Sequence, residues 1–236
     1  MTDIHSHIIY GIDDGSKSIE ESIELLKKMK DVGFTDVICT PHFIEDTEYS
    51  SENKEKLIKL DAIKDAIEYT NLDINVYLGN EVFINGNVVT NIKEGKIYPL
   101  NNTKYVLVEF PLHNKLLNIN DILYEITHQG YIPIIAHPER YDAFKTDYKL
   151  VKALKDDGYL FQCNYSSILG KYGSDSKKLM KKMLKDHYVD YLGTDIHHIR
   201  KTFTLDNFPK ILKKITKYAG EEYLKEILAN CDKLVK

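Results

Sequence analysis

The sequence predicts a single α/β domain, residues 1–236, folded as a closed barrel of seven parallel strands that resembles the (β/α)8 barrel. Seven short apolar segments are each followed by helical or loop sequence, as expected of parallel strands joined by right-handed crossovers. A chain of 236 residues lies within the range that α/β barrels fill as one domain. The alternative, an open doubly wound sheet, is disfavoured because no Gly-x-Gly-x-x-Gly follows the first strand.

The first strand begins almost at the amino terminus and carries two histidines one residue apart, His5 and His7. Alternate side chains of a strand point to the same face, so both imidazoles can reach one point in space. That is a metal-binding geometry. Further along, Ser18 and Glu21 form the Ser-x-x-Glu pattern of a capping box, which predicts a helix that ends at Gly33.

The remaining elements alternate between apolar runs and amphipathic segments. Continuous apolar runs are typical of strands that are covered on both faces, and apolar residues at helical spacing predict the helices. The expected strands lie at 36–40, 74–78, 105–108, 132–136, 159–164 and 189–194. The expected helices lie at 52–69, 119–129, 147–157, 175–186, 206–217 and 220–230.

Composition excludes several classes of protein. A net charge of -4 indicates neither a nucleic-acid nor a membrane partner. The sequence contains no apolar stretch of membrane-spanning length and no signal peptide, so we expect a cytoplasmic protein. Cys39, Cys163 and Cys231 lack Cys-x-x-Cys spacing and read as reduced thiols. Arginine does not follow Cys39 or Cys163 at the sixth position, so the phosphate loop of cysteine-dependent phosphatases is missing.

Six of the seven apolar strands end in a histidine, an aspartate or a glutamate. Because the carboxyl ends of the strands form the active-site face of α/β barrels, these side chains should converge. Asp14, in the loop after the first strand, overhangs the same face, although Asp13 and Asp14 could both be turn formers. The convergent residues are His5, His7, Asp14, His42, Glu81, Glu109, His137, Asp195 and His197.

Several imidazoles and carboxylates cannot share one pocket as free groups, because confined like charges resist burial. Divalent cations resolve the conflict. Nine ligands are too many for one ion, so the pattern predicts two or three metals of the Mn²⁺, Fe²⁺ or Zn²⁺ type. Such ions activate water for hydrolysis of a phosphoester. Arg140 and Arg200, each three residues after a predicted ligand, could bind phosphate oxygens.

With these residues in this order, the chain resembles the polymerase-and-histidinol-phosphatase (PHP) superfamily. Within it, the similarity is to the metal-dependent tyrosine-protein phosphatases encoded with bacterial capsule and exopolysaccharide genes. The resemblance runs essentially end to end. Its motifs are Asp-Ile-His-Ser-His at 3–7, Asp-Asp-Gly at 13–15, Thr-Pro-His at 40–42, Gly79 with Glu81, Glu-Phe-Pro at 109–111, Ile-Ala-His-Pro-Glu-Arg at 135–140 and Thr-Asp-Ile-His at 194–197.

The resemblance implies a TIM-like distorted (β/α)7 barrel that holds three divalent metal ions, with manganese favoured. His5, His7, Glu81 and Asp195 would hold the first ion; Glu81, Glu109 and His137 the second; Asp14, His42 and His197 the third. Arg140 matches the family's phosphate-binding arginine. The chain departs from the family after His197, where its loop looks shorter and His198 replaces a frequent Asn, which leaves the second phosphate contact open between Arg200 and Lys201.

The leading hypothesis is therefore a manganese-dependent protein-tyrosine phosphatase that acts by metal-hydroxide attack, without a cysteinyl intermediate. The family acts on phosphotyrosine, notably on the tyrosine-rich tail of the kinase that controls polysaccharide export. The alternatives are a small-molecule phosphatase such as one for histidinol phosphate, a nuclease-type phosphodiesterase, and a non-catalytic scaffold. The lack of a basic patch disfavours the nuclease, and the complete ligand set disfavours the scaffold.

Three further expectations concern the surroundings of the site. Arg140 could instead pair with Glu139 or Asp142, as exposed ion pairs commonly do. The segment 165–170, at the end of the sixth strand, is expected to line the substrate mouth. The lysine-rich helix at 177–185 reads as a solvated face, on which an acidic kinase tail could dock.

Overall fold

The computed structural model describes residues 1–113 and 118–236, in which nine strands pair throughout in parallel. The strands are β1 (Thr2–Asp3), β2 (Asp36–Cys39), β3 (His42–Phe43), β4 (Asn75–Leu78), β5 (Glu81–Phe83), β6 (Tyr105–Glu109), β7 (Ile132–Ala136), β8 (Leu160–Asn164) and β9 (Tyr191–Gly193). They form one sheet ordered β1-β2-β4 and a second ordered β3-β5-β6-β7-β8-β9.

Two of the seven predicted strands, at 36–40 and 74–78, are each followed after a short break by a second strand that was not predicted, β3 and β5. Thr40 and Pro41 separate β2 from β3, and Gly79 and Asn80 separate β4 from β5. Proline has no N–H to donate to a ladder, and the Asn80 side-chain amide instead donates to the Pro41 carbonyl oxygen at 2.9 Å. A Cβ on Gly79 would lie 2.7 Å from a methyl carbon of Leu100, so only glycine fits this bend without a shift. Each interrupted pair therefore acts as one bent strand.

The sheet curls until its last strand reaches its first. Beyond β9, the backbone N–H of Asp195 donates to the His5 carbonyl oxygen at 2.9 Å, and the N–H of His7 donates to the Ile196 carbonyl oxygen at 2.8 Å. Ser6 and Ile196 form a parallel bridge at the same place. The predicted α/β fold with a curled parallel sheet is confirmed.

Helices cover the outside of the sheet. In the described residues they are α1 (Ile19–Asp31), α2 (Asn53–Tyr69), α3 (Val88–Lys93), α4 (Ile119–His128), α5 (Asp142–Thr146), α6 (Tyr148–Asp156), α7 (Ser174–Lys185), α8 (Phe203–Asp206), α9 (Phe208–Ala219) and α10 (Glu221–Lys233). The seven predicted helices are present with bounds shifted by a few residues. The short helices α3, α5 and α8 were not predicted, because a segment of one or two turns shows little periodicity.

One half of the predicted capping box is wrong. The Ser18 hydroxyl accepts from the Glu21 N–H at 3.3 Å, as expected of an N-cap. The Glu21 carboxylate, however, accepts from the N–H groups of Lys17 at 2.9 Å and Ile199 at 3.0 Å. Ile199 lies in the loop after β9, so this carboxylate joins the start of α1 to that loop instead of closing the box.

The core has two parts. The larger lies between the sheet and its helices. The smaller fills the interior of the barrel and includes residues of four strands, Ile38, Leu107, Ile134, Ala136 and Tyr191, together with Ile4 after β1. Leu107 and Glu109 are two residues apart on β6 and share a face. The interior cluster therefore ends directly below the carboxyl ends of the strands. Among the described residues, no helix is both long and apolar enough to cross a membrane.

Candidate metal centre

The two histidines after β1 are oriented by hydrogen bonds to their Nδ1 atoms. His5 Nδ1 lies 2.8 Å from Gln162 Oε1, and His7 Nδ1 lies 2.7 Å from Asp13 Oδ2. Both oxygens can only accept, so both Nδ1 atoms carry the proton. The two Nε2 atoms then face each other at 3.3 Å. If both rings are neutral, the lone pairs of the two Nε2 atoms repel each other at this distance. A cation between them would remove this repulsion.

Two carboxylates complete this first group. Glu81 Oε2 lies 3.1 Å from His5 Nε2 and 3.3 Å from His7 Nε2, and Asp195 Oδ1 lies 3.7 and 3.6 Å from the same atoms. Ligands about 2.1 Å from one ion lie about 3 to 3.5 Å apart, so the spacing fits a shared cation. Burial alone would lower the pKa of His5, but the charges of Glu81 and Asp195 raise it to about 9. Without metal, a proton would hold the positive charge that the carboxylates require.

The second group surrounds the other oxygen of Glu81. His137 Nε2 lies 2.8 Å from Glu81 Oε1 and 3.5 Å from Glu109 Oε1. Burial, with the charge of Arg140, lowers the pKa of His137 to about 4, which leaves its ring neutral and able to ligate. Burial and the neighbouring charge of Glu81 raise the pKa of Glu109 to about 8. This group is thus short of positive charge, as a metal site is before it is loaded.

The third group lies nearer the surface. Asp14 Oδ1 lies 3.6 Å from His42 Nε2 and 3.5 Å from His197 Nε2. Burial, with the charge of His7, lowers the pKa of His197 to about 4, so this ring is also neutral. His42 further connects the groups, since its Nδ1 lies 3.2 Å from Glu81 Oε2. The structure therefore brings all nine predicted ligands together, and their donor chemistry fits divalent cations.

These groups line a cavity of about 270 Å³ at the carboxyl ends of the strands. Arg140 forms part of its wall: Nη1 donates to Asp195 Oδ2 at 3.1 Å, and Cζ lies 4.6 Å from the centre of the Tyr172 ring. Burial alone would lower the pKa of Arg140, but Asp195 outweighs this effect and raises it. The remaining lining residues outside the predicted ligand set are Lys171, Tyr172, His198 and Lys201.

The structure does not support the alternative pairings of Arg140. Glu139 is buried and accepts from the Asn164 N–H at 2.8 Å and from the Ser167 hydroxyl at 2.7 Å. Asp142 instead accepts from Lys145 at 2.8 Å. Asp195, the carboxylate that Arg140 does contact, is 55 positions away in the sequence.

Two predictions about the cavity mouth are corrected. Arg200 does not line the cavity; it lies in a neighbouring groove, whereas Lys201 lines both. The segment 165–170 does not form the mouth, because residues 165–168 are buried where the segment packs against α7 and α9. Lys171 and Tyr172, which follow directly, line the cavity instead.

Several residues that shape the site were missed in the sequence. Asp13 orients His7, Gln162 orients His5, and the Asn164 side chain donates to Asp195 Oδ2 at 2.7 Å. Gln162 and Asn164 lie two positions apart at the end of β8. This strand corresponds to the one predicted strand that does not end in a histidine, an aspartate or a glutamate. Two polar side chains at alternate positions of a buried strand were the signal in the sequence. They were missed because neither side chain is charged.

The three cysteines are buried and take no part in the cavity. Burial raises the pKa of each thiol, that of Cys231 to about 12. Among the residues that the structure describes, Cys39, Cys163 and Cys231 are free thiols, and none lines the cavity. A thiolate nucleophile is therefore not part of this site.

Comparison with known proteins gives consistent matches over nearly the whole chain. The family model "Capsular polysaccharide synthesis, CpsB/CapC" matches residues 1–236. The chain is 38% identical to CapC of Staphylococcus aureus over 215 residues, 91% of this chain and 82% of CapC. It is 30% identical to the tyrosine-protein phosphatase CpsB of Streptococcus agalactiae, over 96% of this chain and 92% of CpsB.

A solved structure matches equally far. It comes from a study of YwqE from Bacillus subtilis and CpsB from Streptococcus pneumoniae, described as unique metal-dependent tyrosine phosphatases. The TM-score is 0.92 at 27% sequence identity, and the match covers 100% of this chain and 94% of the other.

Proposed function

Because the chain belongs to the CpsB/CapC family of capsular polysaccharide synthesis, we propose that it is a metal-dependent tyrosine-protein phosphatase. The observation that carries this function is the convergence of nine ligand residues in one site, where His5, His7 and His42 meet one oxygen of Glu81 and His137 meets the other. A site with three such groups and an adjacent guanidinium suits a phosphate ester, whose charge several cations can bind at once. A small-molecule phosphatase and a non-catalytic scaffold are both less well supported.

We further propose that the site holds three divalent ions, with Mn²⁺ preferred. The first would be held by His5, His7, Glu81 and Asp195; the second by Glu81, Glu109 and His137; the third by Asp14, His42 and His197. When bound, such ions supply Lewis acidity that polarises the phosphoryl group and activates water. The separations between ligand atoms in the first and third groups support this assignment.

The chain's own residues have separate roles in this proposal. Arg140 binds and orients the phosphoryl group, with its guanidinium held in place by Asp195 and by the Tyr172 ring. Asp13 and Gln162 keep the Nε2 atoms of His7 and His5 directed into the site. Lys201 is better placed than Arg200 for a second phosphate contact, because it lines the cavity.

The substrate class follows from the relatives, which are named as tyrosine-protein phosphatases. We propose phosphotyrosine in a protein, and specifically the tyrosine-rich tail of the bacterial kinase that controls polysaccharide export. The cytoplasmic location inferred from the sequence stays a prediction.

The test is hydrolysis of p-nitrophenyl phosphate and of a phosphotyrosyl peptide after chelation, followed by return of Mn²⁺. We expect both activities to disappear with the metal and to return with it, and metal analysis should find more than one ion per chain. Histidinol phosphate serves as the comparison substrate. Activity that survives chelation intact, or its absence with every divalent ion tried, would refute the proposal.

A further inference from the structure

Two surface grooves adjoin the metal cavity. The first, which we call the Tyr172 groove, has a volume of about 860 Å³ and lies between α5, α6 and the first turns of α7. Tyr172 lines both this groove and the cavity, so the two adjoin at this side chain.

The second, the α1 groove, has a volume of about 580 Å³ and separates α1 from the loop after β9. His198 and Lys201 line both this groove and the cavity. The loop is held against α1 by the Glu21 carboxylate, which accepts from the Ile199 N–H at 3.0 Å. This groove is therefore a built feature of the fold.

The grooves join the cavity through different residues, Tyr172 for one and His198 with Lys201 for the other. The two grooves thus adjoin the cavity on different sides, with the metal ligands between them. A phosphorylated metabolite would fill the cavity and leave both grooves empty. An extended polypeptide, at about 3.3 Å per residue, would use all three.

We propose that this protein binds its substrate as an extended polypeptide that crosses the cavity mouth, with its phosphotyrosine at the metals. Residues on one side of the phosphotyrosine occupy the Tyr172 groove, and residues on the other side occupy the α1 groove. This inference rests on the proposed phosphatase function and adds to it how a protein substrate is recognised.

The two grooves differ in the charges available to a ligand. In the Tyr172 groove, Lys178 is paired with Asp175 at 3.0 Å, whereas Lys182 has no carboxylate of the described residues within 4.0 Å. The Lys182 ammonium lies 3.6 Å from the centre of the Tyr148 ring and can pair with an acidic side chain of a ligand. The Tyr172 groove therefore favours the acidic arm of a peptide.

The α1 groove presents carboxylates on its helical wall. Glu20 and Glu24 line it, and Glu24 is exposed. The third glutamate, Glu21, already accepts from two backbone N–H groups. The Lys17 ammonium is also engaged, since it donates to the Asp13 carbonyl oxygen at 3.0 Å. The opposite wall is the loop after β9, which carries Arg200 and Lys201, so a basic side chain would find its partners only along α1. The substrate chain should accordingly be acidic on one side of the phosphotyrosine and basic on the other.

The experiment compares Mn²⁺-loaded enzyme on three phosphotyrosyl peptides with identical composition but different arm order, together with acetyl-phosphotyrosine amide. One peptide is acidic then basic, one is basic then acidic, and one has the charges mixed in both arms. We expect one order to exceed the other about fivefold in kcat/KM, the scale of exposed charge pairs. The preferred order also reveals the direction of the chain across the site.

Charge reversal assigns each arm to its groove. Lys182→Glu should remove the benefit of the acidic arm, and Glu24→Lys that of the basic arm, while p-nitrophenyl phosphate turnover stays unchanged. Lys210→Glu on α9 and Glu68→Lys on α2 are matched controls, since both residues are exposed and line neither groove. Thermal unfolding of each variant verifies that it folds.

The outcomes separate this inference from the proposed function. If acetyl-phosphotyrosine amide is hydrolysed but all three peptides perform alike, the extended-chain binding mode is wrong and the phosphatase function stands. If the groove variants and their controls lower kcat/KM equally for every substrate, the grooves do not bind the arms. If neither phosphotyrosine substrate is hydrolysed with any metal, the function itself is wrong.

Discussion

At the scale of single residues, the orientation of an imidazole ring decides whether it can serve as a ligand. Asp13 controls this orientation for His7, and the same carboxylate accepts from the backbone N–H groups of His42 and Gly15 at 2.8 Å each. Burial alone would raise the pKa of Asp13, but His7 outweighs it and holds that pKa well below its usual range. An anionic Asp13 thus supports His7 and the backbone of His42 at once.

Replacement of Asp13 by Asn should therefore weaken metal binding without removing a ligand. Loss of such an orienting carboxylate typically costs about 10-fold to 100-fold in metal affinity. A Mn²⁺ titration monitored by recovery of activity and by metal content would measure the loss. Asp14→Asn is the matched control, because it removes a proposed ligand and should empty the third site. Equal Mn²⁺ affinity of Asp13→Asn and the unaltered enzyme would contradict the role given to Asp13.

Arg140 provides the second prediction at this scale. If its guanidinium binds the phosphoryl group, Arg140→Ala should lower kcat/KM on the order of 100-fold, as loss of a charge-stabilising donor does. Metal content should be retained, which separates this role from mere support of Asp195. Arg140→Lys keeps the charge but not the planar fork, and should recover only part of the activity. Unchanged kinetics in Arg140→Ala would exclude the phosphate role.

The sequence indicated these residues but not their contacts. The ligand candidates could be predicted, because spacing of two along a strand determines which side chains share a face. The Arg140–Asp195 pair could not, since it depends on how the sheet curls. His137 and Asp195 also adopt positive φ angles, 31° and 50°, a conformation unfavourable for most residues and not readable from local sequence.

At the scale of elements, the bend between β4 and β5 places Glu81 at the centre of the site. Lys56 of α2 is buried beneath this bend, and its ammonium donates to Asn80 Oδ1 at 2.9 Å and to the Lys96 carbonyl oxygen at 3.1 Å. Asn80 in turn donates to Pro41, in the other interruption. One lysine thereby links a helix to both bent strands.

Burial lowers the pKa of Lys56 from its ordinary 10.5 to about 7. Between these two pH values the unfolded chain holds a proton that the folded chain has released, so the free energy of unfolding rises with pH. Lys56→Met lacks this contribution. The stability of the unaltered protein relative to Lys56→Met should therefore increase between about pH 7 and pH 10.5, as measured by urea unfolding. Lys54→Met changes an exposed position of the same helix, and its free energy of unfolding should vary with pH in the same way as that of the unaltered protein.

The elements themselves were largely readable, because buried parallel strands are continuous apolar runs and the longer helices show clear periodicity. The interruptions at Pro41 and Gly79 were visible as residues but not as structure. Their effect depends on Leu100 and Asn80, which approach from other parts of the chain. The Glu21 carboxylate shows the same limit: local pattern predicted a capping box, and the distant Ile199 N–H took its place.

At the scale of the whole molecule, the site lies where the sheet closes on itself. Asp195 follows the last strand and His5 the first, and the Asp195 N–H donates to the His5 carbonyl oxygen at 2.9 Å. The first proposed ion would take ligands from both sides of this closure and from Glu81 at the start of β5. Metal binding should for that reason stabilise the closed barrel, and not only complete the active site.

The measure of this coupling is the rise in thermal unfolding temperature on addition of Mn²⁺. A ligand that binds only the folded state at 100 times its Kd contributes about 2.7 kcal/mol. We expect a clear rise for the unaltered protein and a smaller one for the double variant His5→Ala and His7→Ala, which loses the first ion but keeps the other two groups.

The double variant should stay folded by circular dichroism and lose its phosphatase activity. The control is His113→Ala with His128→Ala, since both histidines lie outside the metal groups. This control should show the full Mn²⁺ effect. If the double variant of the first strand gained as much stability from Mn²⁺ as the control, or remained active, the first ion would have to lie elsewhere. The two histidines would then be hydrogen-bonding residues of the barrel closure and nothing more.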